Sequence, residues 1–109
     1  YFKHKKMVEP HTYKVEGIGE DYLVKAMDFS LVDGIVQVND KNSFVMARRL
    51  AREEGIFAGG SSGAAVWASL KLSEEVDDDK VIVTILPDSG SRYLSKIYND
   101  NWMSENGFL

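Results

Sequence analysis

Ile56-Phe57-Ala58-Gly59-Gly60-Ser61-Ser62-Gly63-Ala64-Ala65 is a short apolar stretch that breaks into glycines and serines and then into a run of small residues. The apolar triplet predicts a strand, and the small residues predict a helix able to lie close to a sheet or a flat ligand. The turn between them aims backbone N–H groups and two hydroxyls at one small volume, as α/β proteins do when they hold an anion or a cofactor edge. Val81-Ile82-Val83-Thr84-Ile85-Leu86 is nearly continuous and apolar, the pattern of a strand covered on both faces. Pro87-Asp88-Ser89-Gly90 follows it. Strand, helix and strand at this spacing predict a right-handed βαβ crossover between parallel strands. The loops Gly59–Gly63 and Pro87–Gly90 then open at the same edge of the sheet, where ligands bind in such folds.

Outward from this unit the signals are local. Asn39 to Asn42 supply a helix start, with Ser43 or Asp40 as cap candidates. Phe44, Ala47, Leu50 and Ala51 recur at helical spacing as one apolar face, while Arg48, Arg49, Arg52 and Glu53 fall mostly on the other. Gly55 is placed to end that helix in a left-handed conformation. A second helix is expected from Ser62 to about Leu72, and an acidic loop over Ser73 to Asp79. A last helix is expected from about Arg92 to Tyr98, then a short aromatic tail from Trp102 to Leu109. Short strands are expected near Tyr13–Val15 and over Ile35–Val38. Residues 1–16 form an irregular leader, and Gly17-Ile18-Gly19 is a turn that lets backbone approach a ligand closely.

Size and composition set the outer limits. At 109 residues the chain holds one core, so it is one domain or a piece of a larger one. Hydrophobic residues make up 44% and charged residues 28%, ordinary for a globular protein. The net charge of −4 argues against nucleic-acid binding, because no basic face dominates. No apolar run approaches membrane-spanning length, so no membrane partner is expected. The chain has no cysteine, which removes disulfides and cysteine-type zinc sites and fits a reducing, cytoplasmic location. Tyr1 in place of Met leads to the expectation of a piece excised or processed from something longer.

Chemistry is expected at the two loops, with Gly17-Ile18-Gly19 as a third wall. Ser61 or Ser62 offers a neutral hydroxyl, and the helix that starts there adds partial positive charge. A plainer reading stands beside this one: a tight strand-to-helix turn with a serine cap, in a non-catalytic α/β module that binds an anion or a protein. Asp88-Ser89-Gly90 alone is equally an Asx-type turn. Gly59-Gly60-Ser61-Ser62-Gly63 also mimics the nucleophile elbow of hydrolases, but neither His4 nor His11 is well placed to serve it. No metal site is expected, since both histidines lack acidic or cysteine partners at ligand spacing.

The ordered set Glu16-Gly17-Ile18-Gly19, Ala51-Arg52-Glu53-Glu54-Gly55-Ile56, Gly59–Gly63 and Ile85-Leu86-Pro87-Asp88-Ser89-Gly90-Ser91-Arg92-Tyr93-Leu94 resembles the cystathionine β-synthase and cysteine synthase family. These are fold type II pyridoxal-phosphate enzymes. The tail Asn99-Asp100-Asn101-Trp102-Met103 with Gly107-Phe108-Leu109 favours the cystathionine β-synthase branch and counts against a serine or threonine dehydratase. The likeness covers nearly the whole chain and implies the C-terminal part of a catalytic core, an α/β piece of three αβα layers around a mainly parallel sheet.

The resemblance also implies a site. Ser61 matches the serine that hydrogen-bonds the pyridine nitrogen of pyridoxal 5′-phosphate. A neutral hydroxyl there suits elimination and replacement better than an aspartate, which would keep the ring protonated. Gly17, Ile18 and Gly19 match the segment lining the active site, Pro87, Asp88 and Ser89 match the loop near the ring nitrogen, and Gly60, Pro87 and Asp88 are the cofactor-binding positions implied on the two loops. Glu20 and Val24 depart from the pattern on the substrate side. The family's Schiff-base lysine, asparagine loop and phosphate loop precede the matched region, and Lys14, Lys25 and Lys80 do not stand in the lysine motif. The segment is therefore expected to contribute no catalytic lysine and to be inactive alone. The implied partners are small amino-acid substrates and the N-terminal part of the same enzyme. The implied reaction joins serine, or an activated serine, to homocysteine or sulfide in a homo-oligomer.

Overall fold

A computed structural model describes residues 14–15 and 25–109. The leader, apart from Lys14 and Val15, and the Gly17-Ile18-Gly19 turn lie outside the described residues, as do Glu20 and Val24. Helix α1 (Asp40–Arg49) starts where the Asn39 carboxamide accepts a hydrogen bond from the Asn42 N–H at 2.8 Å. The cap is therefore Asn39, and neither Asp40 nor Ser43. Asn39 has the extended backbone that a cap requires. Asp40 instead reaches back, its carboxylate accepting from the N–H groups of Lys14 (2.7 Å) and Val15 (3.3 Å). The helix continues through a wider π-type turn, Leu50–Glu54, and ends as expected at Gly55, whose φ of +68° is the left-handed cap.

The apolar face of α1 is as expected in Phe44, Ala47 and Leu50, all buried, with Met46 buried beside them. Arg49 and Glu53 pair on the solvent side at 2.7 Å. Arg48 bends toward the core rim, where it donates to the Ile97 carbonyl at 2.9 Å and pairs with Asp100.

Helix α2 (Gly60–Ser73) packs across α1 with almost no side chain between them. A Cβ built on Gly63 would lie 2.0 Å from the Ser43 carbonyl oxygen and 2.8 Å from the Ala47 nitrogen. The run of small residues read from the sequence thus lets two helix backbones touch. Gly60, Ser62, Gly63 and Ala64 are the buried residues of α2, and Gly60 and Gly63 meet Phe44, Ser43 and Ala47 of α1.

Two expectations fail over residues 90–105. Helix geometry does not run from Arg92 to Tyr98. A short 3-10 turn (Gly90–Tyr93), opened by the Ser89 hydroxyl accepting from the Ser91 N–H, passes into looser turns. What reads as an aromatic tail contains helix α3 (Asp100–Glu105), capped by Asn99 accepting from the Trp102 N–H at 2.9 Å. An Asn cap at 99 restarts the helix in a new direction, and that brings Met103 and Trp102 back to α1. Phe44 meets Trp102 and Phe108 edge-on, and these two rings are tilted against each other, with centroids 5.3 to 5.9 Å apart, over a core of Val15, Ala47, Tyr93, Ile97 and Met103. Burying a side chain the size of Phe44 stabilises by about 2–3 kcal/mol.

The expected parallel pairing of Ile56–Ala58 with Val81–Leu86 is not found among the described residues. The pairing observed is one antiparallel bridge, Ala58 to Ser89. Residues 35–38 and 81–86 have no ladder either, and Lys14 and Val15 are not in a strand. The reason is physical: strand sequence fixes only which side chains alternate, and the ladder needs neighbouring backbone. The cover expected on both faces of 81–86 is not found among the described residues, and the stretch alternates as a half-covered one does. Val81, Val83 and Ile85 are 78–87% exposed, while Ile82 and Thr84 turn inward and the Thr84 hydroxyl bonds to Ser69 on α2.

Gly63→Ala should be among the most damaging single-methyl changes here, because the added carbon meets backbone. In the full-length protein a loss of about 3 kcal/mol in denaturant-unfolding free energy is expected. A variant as stable as the parent would show that α1 and α2 are not in backbone contact.

Candidate functional site

The bridge between Ala58 and Ser89 brings the two loops together, as the sequence led us to expect. The Gly59 N–H donates to the Asp88 carbonyl at 3.3 Å, and the Gly90 N–H donates to the Phe57 carbonyl at 3.0 Å. Gly59 is the N-cap of α2, and it provides no capping side chain. Gly60, Ser61 and Ser62 therefore form a helical first turn whose early N–H groups carry the partial positive charge of a helix start.

This turn separates the two serines that the sequence left as alternatives. Ser62 is fully buried, and its hydroxyl donates to the Asp88 carbonyl at 3.5 Å. Ser61 is partly exposed, and its hydroxyl forms no hydrogen bond with another described residue. One hydroxyl is spent inside the fold, and the other is presented at its surface. Gly60 is buried, with the Phe44 ring so close that a Cβ would lie 2.9 Å from it.

The second loop closes on the first through a carboxylate. Asp88 Oδ2 accepts from the Tyr93 hydroxyl at 2.6 Å, while Oδ1 is buried without a hydrogen-bond partner among the described residues. A Cβ on Gly59 would stand 2.2 Å from that Oδ1 and 2.7 Å from the Tyr93 ring. Glycine is thus required at 59 by close approach alone. Pro87 is exposed beside this contact.

Two tyrosines that the sequence did not mark as functional brace the arrangement. Tyr93 holds Asp88, and the Tyr98 hydroxyl reaches the carbonyls of Ala58 and, at 3.3 Å, Ala47. The Tyr98 ring also packs on Phe57 with centroids 4.8 Å apart. Partial burial pushes the Tyr98 phenol above its ordinary pKa, against the opposing pull of its bond to Ala58. The signal that would have found them was an acceptor, Asp88, five residues before a tyrosine, across a loop too irregular for periodicity to read.

Comparison with known proteins places this geometry. The family model described as pyridoxal-phosphate dependent enzyme matches residues 2–88. The chain is 42% identical over 98 residues to cystathionine beta-synthase of Dictyostelium discoideum, covering 90% of this chain and 20% of that protein. It is 42% identical over 101 residues to the Mus musculus cystathionine beta-synthase (93% and 18%), and 40% identical over 105 residues to a cysteine synthase of Buchnera aphidicola subsp. Schizaphis graminum (94% and 33%). Among solved structures it matches a lysine-to-alanine mutant of O-ureido-L-serine synthase with O-ureido-L-serine bound, at a TM-score of 0.75 and 32% identity. That match covers 87% of this chain and 32% of that one. The fold is accordingly α/β, of the kind found in pyridoxal-phosphate-dependent synthases. The chain belongs to the pyridoxal-phosphate-dependent enzyme family, and it spans about a fifth to a third of the length of these relatives.

Gly59→Ala should force the Asp88 carboxylate and the Tyr93 ring away from the helix start. In the full-length protein we expect a stability loss of about 1–3 kcal/mol on chemical unfolding. Unchanged stability would mean that the two loops are not in contact at this point.

Proposed function

We propose that these residues supply the ring-nitrogen side of the cofactor site in a pyridoxal-phosphate-dependent β-replacement enzyme, as the C-terminal part of its catalytic core. The reaction proposed for the whole enzyme joins serine, or an activated serine, to homocysteine or sulfide. The observation that carries this is the partition of the two serines. A hydroxyl on the first turn of α2 that bonds to no other described residue, beside a buried glycine, has the chemistry to donate to a pyridine nitrogen, so the residues present fit the cofactor. Pyridoxal phosphate, when bound, supplies the electron sink for the substrate's bonds.

The chain's own residues have narrower tasks in this reading. Ser61 donates a neutral hydrogen bond and so leaves the ring nitrogen unprotonated, which favours replacement at the β-carbon over transamination. Ser62 pins the turn from below through Asp88. Gly60 keeps the turn free of side chain, and Pro87 and Asp88 wall its edge. Gly17, Ile18 and Gly19, outside the described residues, are assigned to the substrate-side lining.

The same reading extends to architecture and partners. We take 1–109 as one segment of a three-layer αβα core with a mainly parallel sheet. Support comes from the covered inner face of residues 81–86 against α2 and the exposed outer row of Val81, Val83 and Ile85. That row, together with backbone that forms no ladder among the described residues, is suited to the N-terminal part of the same enzyme. A cytoplasmic homo-oligomer acting on small amino acids completes the reading, and the cysteine-free composition is consistent with that location.

In the full-length protein, Ser61→Asp should alter the absorption spectrum of the bound cofactor and lower β-replacement turnover by at least about tenfold. Parental turnover and spectrum together would remove Ser61 from the site. The 109 residues alone, which have no lysine in the family's lysine motif, should show no β-replacement and should associate or unfold without a sharp transition. Turnover above the buffer background, or a clean cooperative monomer, would contradict this.

A further inference from the structure

Asp88 makes more contacts with the helix start than a turn residue needs. Its carbonyl accepts from the Gly59 N–H and from the Ser62 hydroxyl, the residues on either side of Gly60 and Ser61. Its carboxylate is turned the same way: Oδ2 is held by Tyr93, and Oδ1 is pressed against Gly59. A buried carboxylate oxygen without a donor is costly, and folds retain few of them. Here the oxygen lies at the start of a 14-residue helix whose N-cap has no side chain, so the partial positive charge of the helix offsets part of that cost.

We infer that Asp88 is a positioning residue for Ser61. It does not need to touch the cofactor: its carbonyl holds both flanks of the turn, and its carboxylate, the part that Asp88→Ala removes, fixes the Gly59 side and thereby sets where the Ser61 hydroxyl stands. Tyr93 is the outer half of the clamp, since its hydroxyl fixes the carboxylate that sits against Gly59. This inference rests on the proposed role of Ser61.

The test is a double-mutant cycle in the full-length protein with Asp88→Ala, Ser61→Ala and both together, with Tyr93→Phe alongside. Pyridoxal phosphate is titrated into each apoprotein, and its affinity and bound absorption spectrum are read with thermal unfolding as the folding control. Asp88→Ala should weaken binding by about tenfold and shift the spectrum in the same direction as Ser61→Ala. The double variant should bind within about twofold of Ser61→Ala, because two residues acting through one contact are non-additive. Tyr93→Phe, which removes one hydroxyl and keeps the carboxylate, should shift both readouts the same way by less. It carries the comparison if Asp88→Ala does not fold.

Parental affinity and spectrum in Asp88→Ala (or in Tyr93→Phe where that variant stands in), or losses that add in the double variant, would overturn the inference while leaving Ser61 in its role. A silent Ser61→Ala would remove the proposed role of Ser61, and the positioning of Ser61 with it.

Discussion

The contact between Asp88 and the glycine that starts α2 joins two segments distant in the chain, and every feature of the candidate site is referred to it. A backbone carbonyl, a carboxylate and a tyrosine hydroxyl converge on a position that has no side chain. The geometry tolerates no carbon at position 59. Sterics decide that the loops meet, and hydrogen bonds decide in what register. The antiparallel bridge between Ala58 and Ser89 is the backbone record of the same meeting.

That meeting depends in turn on how the rest of the chain is packed. Helix α1 is brought against α2 at Gly63 with backbone in contact, and this sets the direction in which the first turn of α2 points. Tyr98 ties α1 and the 56–58 stretch together through the Ala47 and Ala58 carbonyls. The aromatic group of Phe44, Trp102 and Phe108 closes the far side. Small residues thus position the site and large ones hold it, a division that follows from close packing: glycine and alanine allow approach, and aromatics supply buried area.

The partition of Ser61 and Ser62 shows how a fold assigns chemistry to one of two identical groups. Adjacent residues on a helix differ by about 100° in direction, so one hydroxyl of a Ser-Ser pair can face the interior while its neighbour does not. The interior hydroxyl finds the Asp88 carbonyl, and the outer one is left to donate elsewhere.

Much of this was legible in residue order alone. The turn into α2, the apolar face of α1 and the left-handed glycine at 55 follow from local rules: side-chain period, glycine stereochemistry and caps; the nearness of the two loops was expected from a crossover between parallel strands, and it is reached instead through one antiparallel bridge. What these rules could not supply was anything that needs a partner distant in the chain. Asn39 rather than Asp40 is the cap because Asp40 is drawn to Lys14 and Val15. Residues 100–105 are a helix because Asn99 restarts one over the core. The 81–86 stretch has the alternation of a strand but no ladder among the described residues. Ser61 and Ser62 are indistinguishable as letters; packing against Asp88 separates them. Sequence by itself determined the local conformations, because backbone sterics and side-chain spacing act within a few residues. Tertiary structure alone decided which polar group is spent and which is free, because burial and hydrogen-bond satisfaction are properties of distant segments brought together.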